Sequence, residues 1–162
     1  MPGRGFYQLE EESLFVQIGQ FHRYGQYFSY LESDNFRIDI DREGHPIFLE
    51  INLPRRHWTL DSDFHVPTGI IPADIRFLDF RKQITSPEVI TCSDRTAILL
   101  KFLPADQTSV YYISSNILFE VSPANELASI WITDIIDDFA GQELAHFRKI
   151  TARQYISAAL AI

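Results

Sequence analysis

The densest group of side chains capable of acid–base or metal chemistry lies between residues 57 and 65. Two histidines and two aspartates occur there, namely His57, Asp61, Asp63 and His65. In an extended segment Asp61, Asp63 and His65 would point to one side, because side chains alternate along a strand. Imidazoles and carboxylates at this spacing could hold a metal ion or transfer protons. An ordinary polar loop is the alternative, since no second cluster with metal-ligand spacing accompanies the segment.

A second group satisfies the written template of a calcium-binding loop. Asp39, Asp41 and Glu43 supply oxygen ligands at alternate positions, Gly44 follows them, and Glu50 ends the loop. A loop of this kind needs flanking helices, whereas this stretch alternates strictly between apolar and polar residues, as a strand does. We therefore predict a solvated β-hairpin with a polar turn, in which Glu50 lies across from Asp39 or near it. We expect no common metal site of Asp39, Asp41 and Glu50.

Cys92 is the single cysteine, so the chain can form no internal disulfide, which is typical of a reducing, cytosolic environment. A nucleophilic cysteine needs a nearby base or cation to stabilise its thiolate, and only Arg95 is basic among its close sequence neighbours. A core or strand-end thiol is the favoured interpretation. The chain also lacks a G-x-S-x-G elbow, a P-loop and a G-x-G-x-x-G motif. We therefore predict no catalytic residue and no cofactor.

An apolar period of two predicts that most of the chain forms β-strands. The strands predicted for the first half are 14–18, 27–31, 36–41 and 47–51, and those for the second half are 97–102, 110–113, 117–121 and 128–132. Short leading strands are expected at 7–9 and 89–91. Residues 42–45 and 122–125 are rich in turn-forming residues, so each half is expected to contain a hairpin closed by such a turn.

The two halves resemble each other when the sequence is shifted by half its length. Over positions 16–51 the identical pairs are Phe21–Phe102, Gln26–Gln107, Tyr30–Tyr111, Ser33–Ser114, Asn35–Asn116 and Ile51–Ile132. Several apolar positions coincide as well. This agreement predicts a duplication with pseudo-repeats 1–81 and 82–162, while two unrelated meanders that share one pattern are the alternative.

The end of the chain has the spacing of a helix. Leu144, Phe147 and Thr151 would share one face, and Ala140-Gly141 marks the start. Either one helix continues through Thr151, or Thr151 caps a separate last helix. Residues 75–80 are compatible with a strand or a short helix.

These elements predict the fold class. A meander of about 40 residues is too small to be stable alone, and no low-complexity linker separates the halves. We therefore predict a mainly β (α+β) fold over residues 1–162. It would be a single domain of two duplicated antiparallel β-meanders that share one core, with a C-terminal helix.

Residues 13–52 resemble a family of small bacterial β-meander proteins of unknown function, the YuzE-like proteins. The motifs that carry the resemblance are Leu14-Phe15-Val16, Asp39-Ile40-Asp41-Arg42-Glu43-Gly44 and Phe48-Leu49-Glu50-Ile51. The second half is similar more loosely, through Ile98-Leu99-Leu100 and Ser129-Ile130-Trp131-Ile132, with Ser122 and Asn125 in place of the last Asp and the Gly. The resemblance implies the fold, here in two copies, and it implies no activity and no catalytic residues.

Charge and composition exclude several classes of function. The net charge of −8 opposes nonspecific binding to phosphate backbones, so we expect no nucleic-acid partner. No apolar run approaches the roughly 18 residues of a membrane span. The N-terminal sequence, from Met1 to Ser13, contains no apolar segment of a signal peptide, so we expect a cytoplasmic protein without membrane contact.

Two functions from different classes remain. The first is a non-enzymatic interaction module that binds a protein partner or forms a homo-oligomer, such as an immunity-type inhibitor of a basic protein. Its 22 aromatic residues exceed what a core of this size needs, and only three lysines are present to protect strand edges. The alternative is a small-ligand- or metal-binding, hydrolase-like domain that uses Asp61, Asp63 and His65. The direction of these three side chains would distinguish the two.

Overall fold

The computed structural model describes residues 3–18, 27–68, 71–79, 84–104 and 106–160 and contains two β-sheets and one C-terminal helix. The elements in chain order are β1 (Arg4–Gln8), β2 (Ser13–Gln17), β3 (Tyr27–Glu32), β4 (Phe36–Asp41), β5 (Pro46–Ile51), a 3₁₀ turn (Arg55–His57), β6 (Thr59–Leu60), β7 (Ile71–Pro72), β8 (Glu88–Thr91), β9 (Ile98–Lys101), β10 (Ser109–Ser114), β11 (Ile117–Val121), β12 (Leu127–Ile132), β13 (Ile136–Asp138) and α1 (Gln142–Leu160). The predicted fold class, mainly β with a C-terminal helix, is confirmed.

The strands form two mixed sheets. Sheet A has the order β13-β1-β2-β5-β4-β3, and sheet B has the order β6-β8-β9-β12-β11-β10-β7. Neighbours are antiparallel except at the short edge strands β13, β6 and β7, each of which runs parallel to its neighbour. Only the last three long strands of each half form a simple meander. The preceding hairpin joins through β2–β5 or β9–β12, which is the strand order of a Greek key.

The same strand order and similar pairing occur in both halves. Leu14 pairs with Ile51 across β2 and β5, and Ile98 pairs with Ile132 across β9 and β12. Leu14 therefore corresponds to Ile98, and Ile51 corresponds to Ile132. Leu14 and Ile98 are thus separated by more than half the length of the chain, whereas Ile51 and Ile132 are separated by half of it. A single shift by half the sequence therefore misaligns β2 with β9. Origin by duplication stays a prediction.

Each half also completes the sheet of the other half. β6 follows the first meander but pairs with β8 of sheet B, and β13 follows the second meander but pairs with β1 of sheet A. After β6 the chain passes over the outer face of sheet B, where the ring of Phe64 packs 5.3 Å from that of Trp131, and it reaches the opposite edge at β7. Because of this exchange, we expect the two halves to fold together.

One hydrophobic core lies between the inner faces of the two sheets. Its fully buried members alternate along their strands and include Leu14, Val16, Ile38 and Ile51 from sheet A and Ile98, Leu100, Ile117, Phe119, Ile130 and Ile132 from sheet B. This is the side-chain period that the sequence predicts, and the shared core is confirmed.

Helix α1 covers the outer face of sheet A. Leu144, Phe147 and Ile150 pack there against a second apolar cluster. The carboxylate of Asp138 accepts hydrogen bonds from the N–H groups of Glu143 and Leu144, which satisfies donors of the first helical turn. A single helix continues through Thr151, so Thr151 does not cap a separate helix. In the described part of the chain, no helix is long and apolar enough to cross a membrane.

Residues 73–79 form neither a strand nor a helix, and residue 80 lies outside the described residues. The segment is held by backbone hydrogen bonds, from Ala73 N–H to the Tyr112 carbonyl and from Phe77 N–H to the Gly44 carbonyl. It therefore packs against the end of the β4–β5 hairpin.

Candidate functional site between the helix and sheet A

The polar face of the β4–β5 hairpin lies under α1. The prediction of a solvated hairpin is wrong for Asp39 and Asp41, whose exposed fractions are 5% and 2%. The cause at Asp39 is tertiary, because α1 packs on this face through Phe147, whose ring contacts Phe48 of β5 at 5.1 Å between centroids. Asp41 is buried in the turn itself, where it accepts hydrogen bonds from the N–H groups of Glu43 and His45. The alternation identified the two faces correctly, but it could not show that the second face is also covered.

A pocket of about 200 Å³ lies where this hairpin meets the helix. We call it the helix–sheet pocket, and its lining consists of Phe15, Arg37, Asp39, Phe48, Leu49, Glu50, Phe147, Arg148 and Thr151. Two carboxylates and two guanidinium groups thus meet three phenyl rings. A concave site with a few polar groups on an apolar floor is the usual form of a small-ligand site.

The pairing of β4 with β5 positions the charged groups on the sheet. Glu50 lies directly across from Arg37, and Asp39 lies across from Phe48. Asp39 and Glu50 are therefore diagonal neighbours on the two strands, as the prediction that Glu50 lies across from Asp39 or near it allows. The guanidinium of Arg37 donates from Nε to Oδ1 of Asp39 at 2.8 Å and forms no ion pair with Glu50. It also lies 4.0 Å from the centre of the Tyr30 ring, within the range of a cation–π contact.

The second guanidinium is also engaged, since Arg148 donates to Oε1 of Glu11 at 2.6 Å. Glu50 is left without a hydrogen bond or ion pair to any side chain that the structure describes. Burial raises the pKa of Glu50, and the charges of Asp39 and Glu11 add to this effect, while the two arginines oppose it. Perturbed carboxyl groups in a cleft are typical of functional sites.

The phenol of Tyr27 belongs to the same electrostatic group. Burial raises its pKa, and the charge of Asp39 raises it further, while Arg37 opposes the change through its charge and a hydrogen bond. Tyr27 pairs with Asp41 across β3 and β4. The phenol is therefore protonated at neutral pH.

The substitution Glu50→Gln should stabilise the protein at pH 7 by less than about 1 kcal/mol, because a half-exposed charge is partly screened by water. The folded protein holds the proton of Glu50 more tightly than the unfolded chain does, so ionisation costs stability as pH rises through the raised pKa. The gain should vanish below about pH 4, where the carboxyl is protonated in both states. Urea unfolding over a pH series measures it, with Glu126→Gln in the exposed β11–β12 turn as control. A gain that does not change with pH would contradict this assignment.

The predicted cluster at 57–65 lies elsewhere, and each of its four polar side chains is exposed. His57 ends the 3₁₀ turn, and Asp61, Asp63 and His65 follow β6 on the surface. Oδ1 of Asp61 accepts a hydrogen bond from the N–H of Asp63 at 2.9 Å, which is ordinary loop geometry. Among the residues that the structure describes, no three His, Cys, Asp or Glu side chains are placed to hold a metal ion. No observation here favours the hydrolase-like alternative.

Cys92 lies half-buried in the turn between β8 and β9. Its thiol donates to Oδ1 of Asp94 at 3.0 Å and lies near the hydroxyl of Thr96. Hydrogen bonds from Cys92 and from Thr96 lower the pKa of Asp94 to about 2. The polar neighbour of the thiol is thus a carboxylate, whereas a nucleophilic cysteine needs a base or a cation.

A buried histidine between two aspartates is a feature that the sequence analysis did not single out. Nδ1 of His45 lies 3.1 Å from Asp41, and Nε2 lies 3.1 Å from Asp74. Burial acts to raise the pKa of Asp74, but hydrogen bonds to His45 and Arg76 bring it below its usual value. The contact between Asp41 and His45 could have been predicted from their i, i+4 spacing around Gly44. The contact with Asp74 could not, because Asp74 lies in a distant segment of the chain.

No model of a known protein family matches this chain, and no curated protein matches it at a significant level of similarity. The resemblance to the YuzE-like family therefore stays a prediction that rests on short motifs.

Proposed function

We propose that this chain is a non-enzymatic, cytosolic interaction module that associates with a second copy of itself through β3. The observation that carries the proposal concerns the strands that end the described sheets. All four carry a large apolar side chain that is exposed: Phe28 and Tyr30 on β3, Leu60 on β6, Ile71 on β7 and Ile136 on β13. None of these strands contains a lysine, which often protects such edges.

The length of β3 makes it the best candidate among these edges. β6, β7 and β13 have only two or three residues, and a short edge offers little backbone for pairing. β3 has six residues. Its counterpart in sheet B, β10, is covered by β7, whereas β3 is the last strand of sheet A in the described structure.

The aromatic side chains of β3 are held in position by arginines from β4 and the turn after it. Arg37 lies over the Tyr30 ring at 4.0 Å, and Arg42 lies over the Phe28 ring at 5.1 Å. Tyr30 and Phe28 remain 40% and 42% exposed. Such fixed rings lose little conformational entropy when they become buried, which favours association.

A second copy of the chain fits this edge, because acidic and basic groups along β3 and the neighbouring turn would face each other in a two-fold pair. In an antiparallel pair centred on Tyr30, Glu32 of each copy would lie opposite Phe28 of the other copy, beside Arg42. The two-fold axis of the pair generates two copies of this acid–base contact. The net charge of −8 on each copy opposes association at long range, so dimerisation should strengthen when salt screens that repulsion.

Light scattering and sedimentation over a concentration series test the proposal. We expect a reversible dimer, and we expect Tyr30→Lys to weaken it about tenfold or more, because a lysine would place two like charges at the centre of the pair. Tyr112→Lys is the matched control, since Tyr112 is an exposed tyrosine on β10, which β7 covers. A wild-type chain that stays monomeric up to its solubility limit would refute self-association. Equal weakening by both variants would refute the assignment to β3.

A further inference from the structure

Of the charged side chains that line the helix–sheet pocket, all except Glu50 form an ion pair. Arg37 binds Asp39, and Arg148 binds Glu11, so each arginine has a carboxylate of its own. Glu50 is the remaining charge, and no described side chain forms a hydrogen bond or ion pair with it. An ionised carboxylate that is partly removed from water is stabilised by a cation that enters beside it.

The floor of the pocket suits an apolar stem or the face of a delocalised cation. Phe147 contacts Phe15 and Phe48 with ring centroids 5.5 and 5.1 Å apart. Phenyl faces attract guanidinium and ammonium groups, and the attraction grows when water is excluded. The rings also bury short methylene chains favourably.

The volume limits the size of the occupant. About 200 Å³ is below the roughly 300–1,000 Å³ that is usual for drug-sized ligands. Since a water molecule takes about 30 Å³, the space holds a group of roughly seven non-hydrogen atoms. A cationic head with three or four methylene groups matches this size.

We infer that the helix–sheet pocket binds a small organic cation, a guanidinium or alkylammonium group on a short apolar stem, with Glu50 as its counter-ion. The stem lies on Phe15, Phe48 and Phe147, and the head group donates hydrogen bonds to the Glu50 carboxylate. The pocket adjoins the β3 edge, since Arg37 lines it and also lies over the Tyr30 ring, but binding of a cation beside Glu50 does not require self-association.

Nuclear magnetic resonance titration of the ¹⁵N-labelled full chain with n-butylguanidinium tests the inference. We expect saturable shifts of the amide signals of residues 37–39, 48–50 and 147–151. The neutral isostere n-butylurea should bind about tenfold or more weakly, because hydrogen bonds to a charged acceptor are stronger when the donor is also charged. Absence of saturation, or equal binding of the urea, would overturn the inference without reference to any variant.

Variants then assign the counter-ion. Glu50→Gln should weaken n-butylguanidinium binding about tenfold or more, whereas Glu126→Gln, which removes the same charge from an exposed turn, should leave it unchanged. Thermal unfolding confirms that both variants are folded. Unchanged affinity in Glu50→Gln would refute its role.

A blocked Gly-Gly-Arg-Gly-Gly peptide distinguishes the two sources of such a cation. Binding of this peptide with the same loss in Glu50→Gln would show that the pocket admits a basic side chain of a protein. Binding of n-butylguanidinium alone would assign the pocket to free small cations.

Discussion

Replacing Phe147 with alanine should lower the free energy of unfolding by about 3–5 kcal/mol. The Phe147 ring joins α1 to sheet A and is 8% exposed. Its centroid lies 5.8, 5.5 and 5.1 Å from those of Phe6, Phe15 and Phe48. Truncation would remove all three contacts and leave a cavity at the floor of the helix–sheet pocket. Because α1 covers the hairpin charges, its loosening should also expose Asp39.

Urea unfolding followed by circular dichroism measures this loss, with Phe139→Ala as the matched control. Phe139 precedes α1 and is 78% exposed, so its truncation should change the stability by no more than about 0.5 kcal/mol. A loss below about 1 kcal/mol for Phe147→Ala would show that the helix contributes little to the stability of sheet A.

Replacing Asp41 with alanine should cost about 3 kcal/mol, because the substitution breaks a buried hydrogen-bond network. Oδ1 of Asp41 accepts hydrogen bonds from the N–H groups of Glu43 and His45, each at 2.9 Å. Oδ2 lies 3.1 Å from Nδ1 of His45, which is itself buried. Alanine would leave these donors without their acceptor in a place that water reaches poorly.

The second half of the chain provides the matched control for this prediction. Ser122 occupies the corresponding turn, and its hydroxyl accepts a hydrogen bond from the N–H of Glu126 at 3.1 Å. This turn is more exposed, so water can replace the lost acceptor, and Ser122→Ala should cost at most about 1 kcal/mol. Equal losses for the two variants in urea unfolding would contradict the importance of burial at Asp41.

The strands and turns of the meanders were predictable from local pattern. Alternation from Phe36 to Asp39 and from Phe48 to Ile51 fixes which side chains share a face, because the side-chain period of a strand is two. A register shift interrupts it at Ile47, which packs in the same cluster as Phe48. Gly44, with φ of 90°, and Asn125, with φ of 61°, mark the two equivalent turns, since glycine and asparagine tolerate this conformation. The shared core follows from the same alternation.

The short edge strands could not be predicted from local sequence patterns. β6 and β7 have two residues each, and β13 has three, so none is long enough to show a period. Their pairing partners, β8, β10 and β1, come from distant positions in the chain. The correspondence of Leu14 with Ile98 was hidden for a similar reason, because the connection from the first hairpin to the meander differs in length between the halves.

The candidate site shows most clearly what sequence and tertiary structure each contribute. The sequence by itself determined that Arg37, Asp39 and Glu50 lie on the face opposite the core, because alternation and hairpin pairing are local. Only the tertiary structure decided that α1 covers this face, that Arg148 and Phe147 complete the pocket, and that Asp39 and Glu11 engage the two arginines. Burial and charge pairing depend on contacts between residues far apart in the chain, and a local pattern carries no record of such contacts.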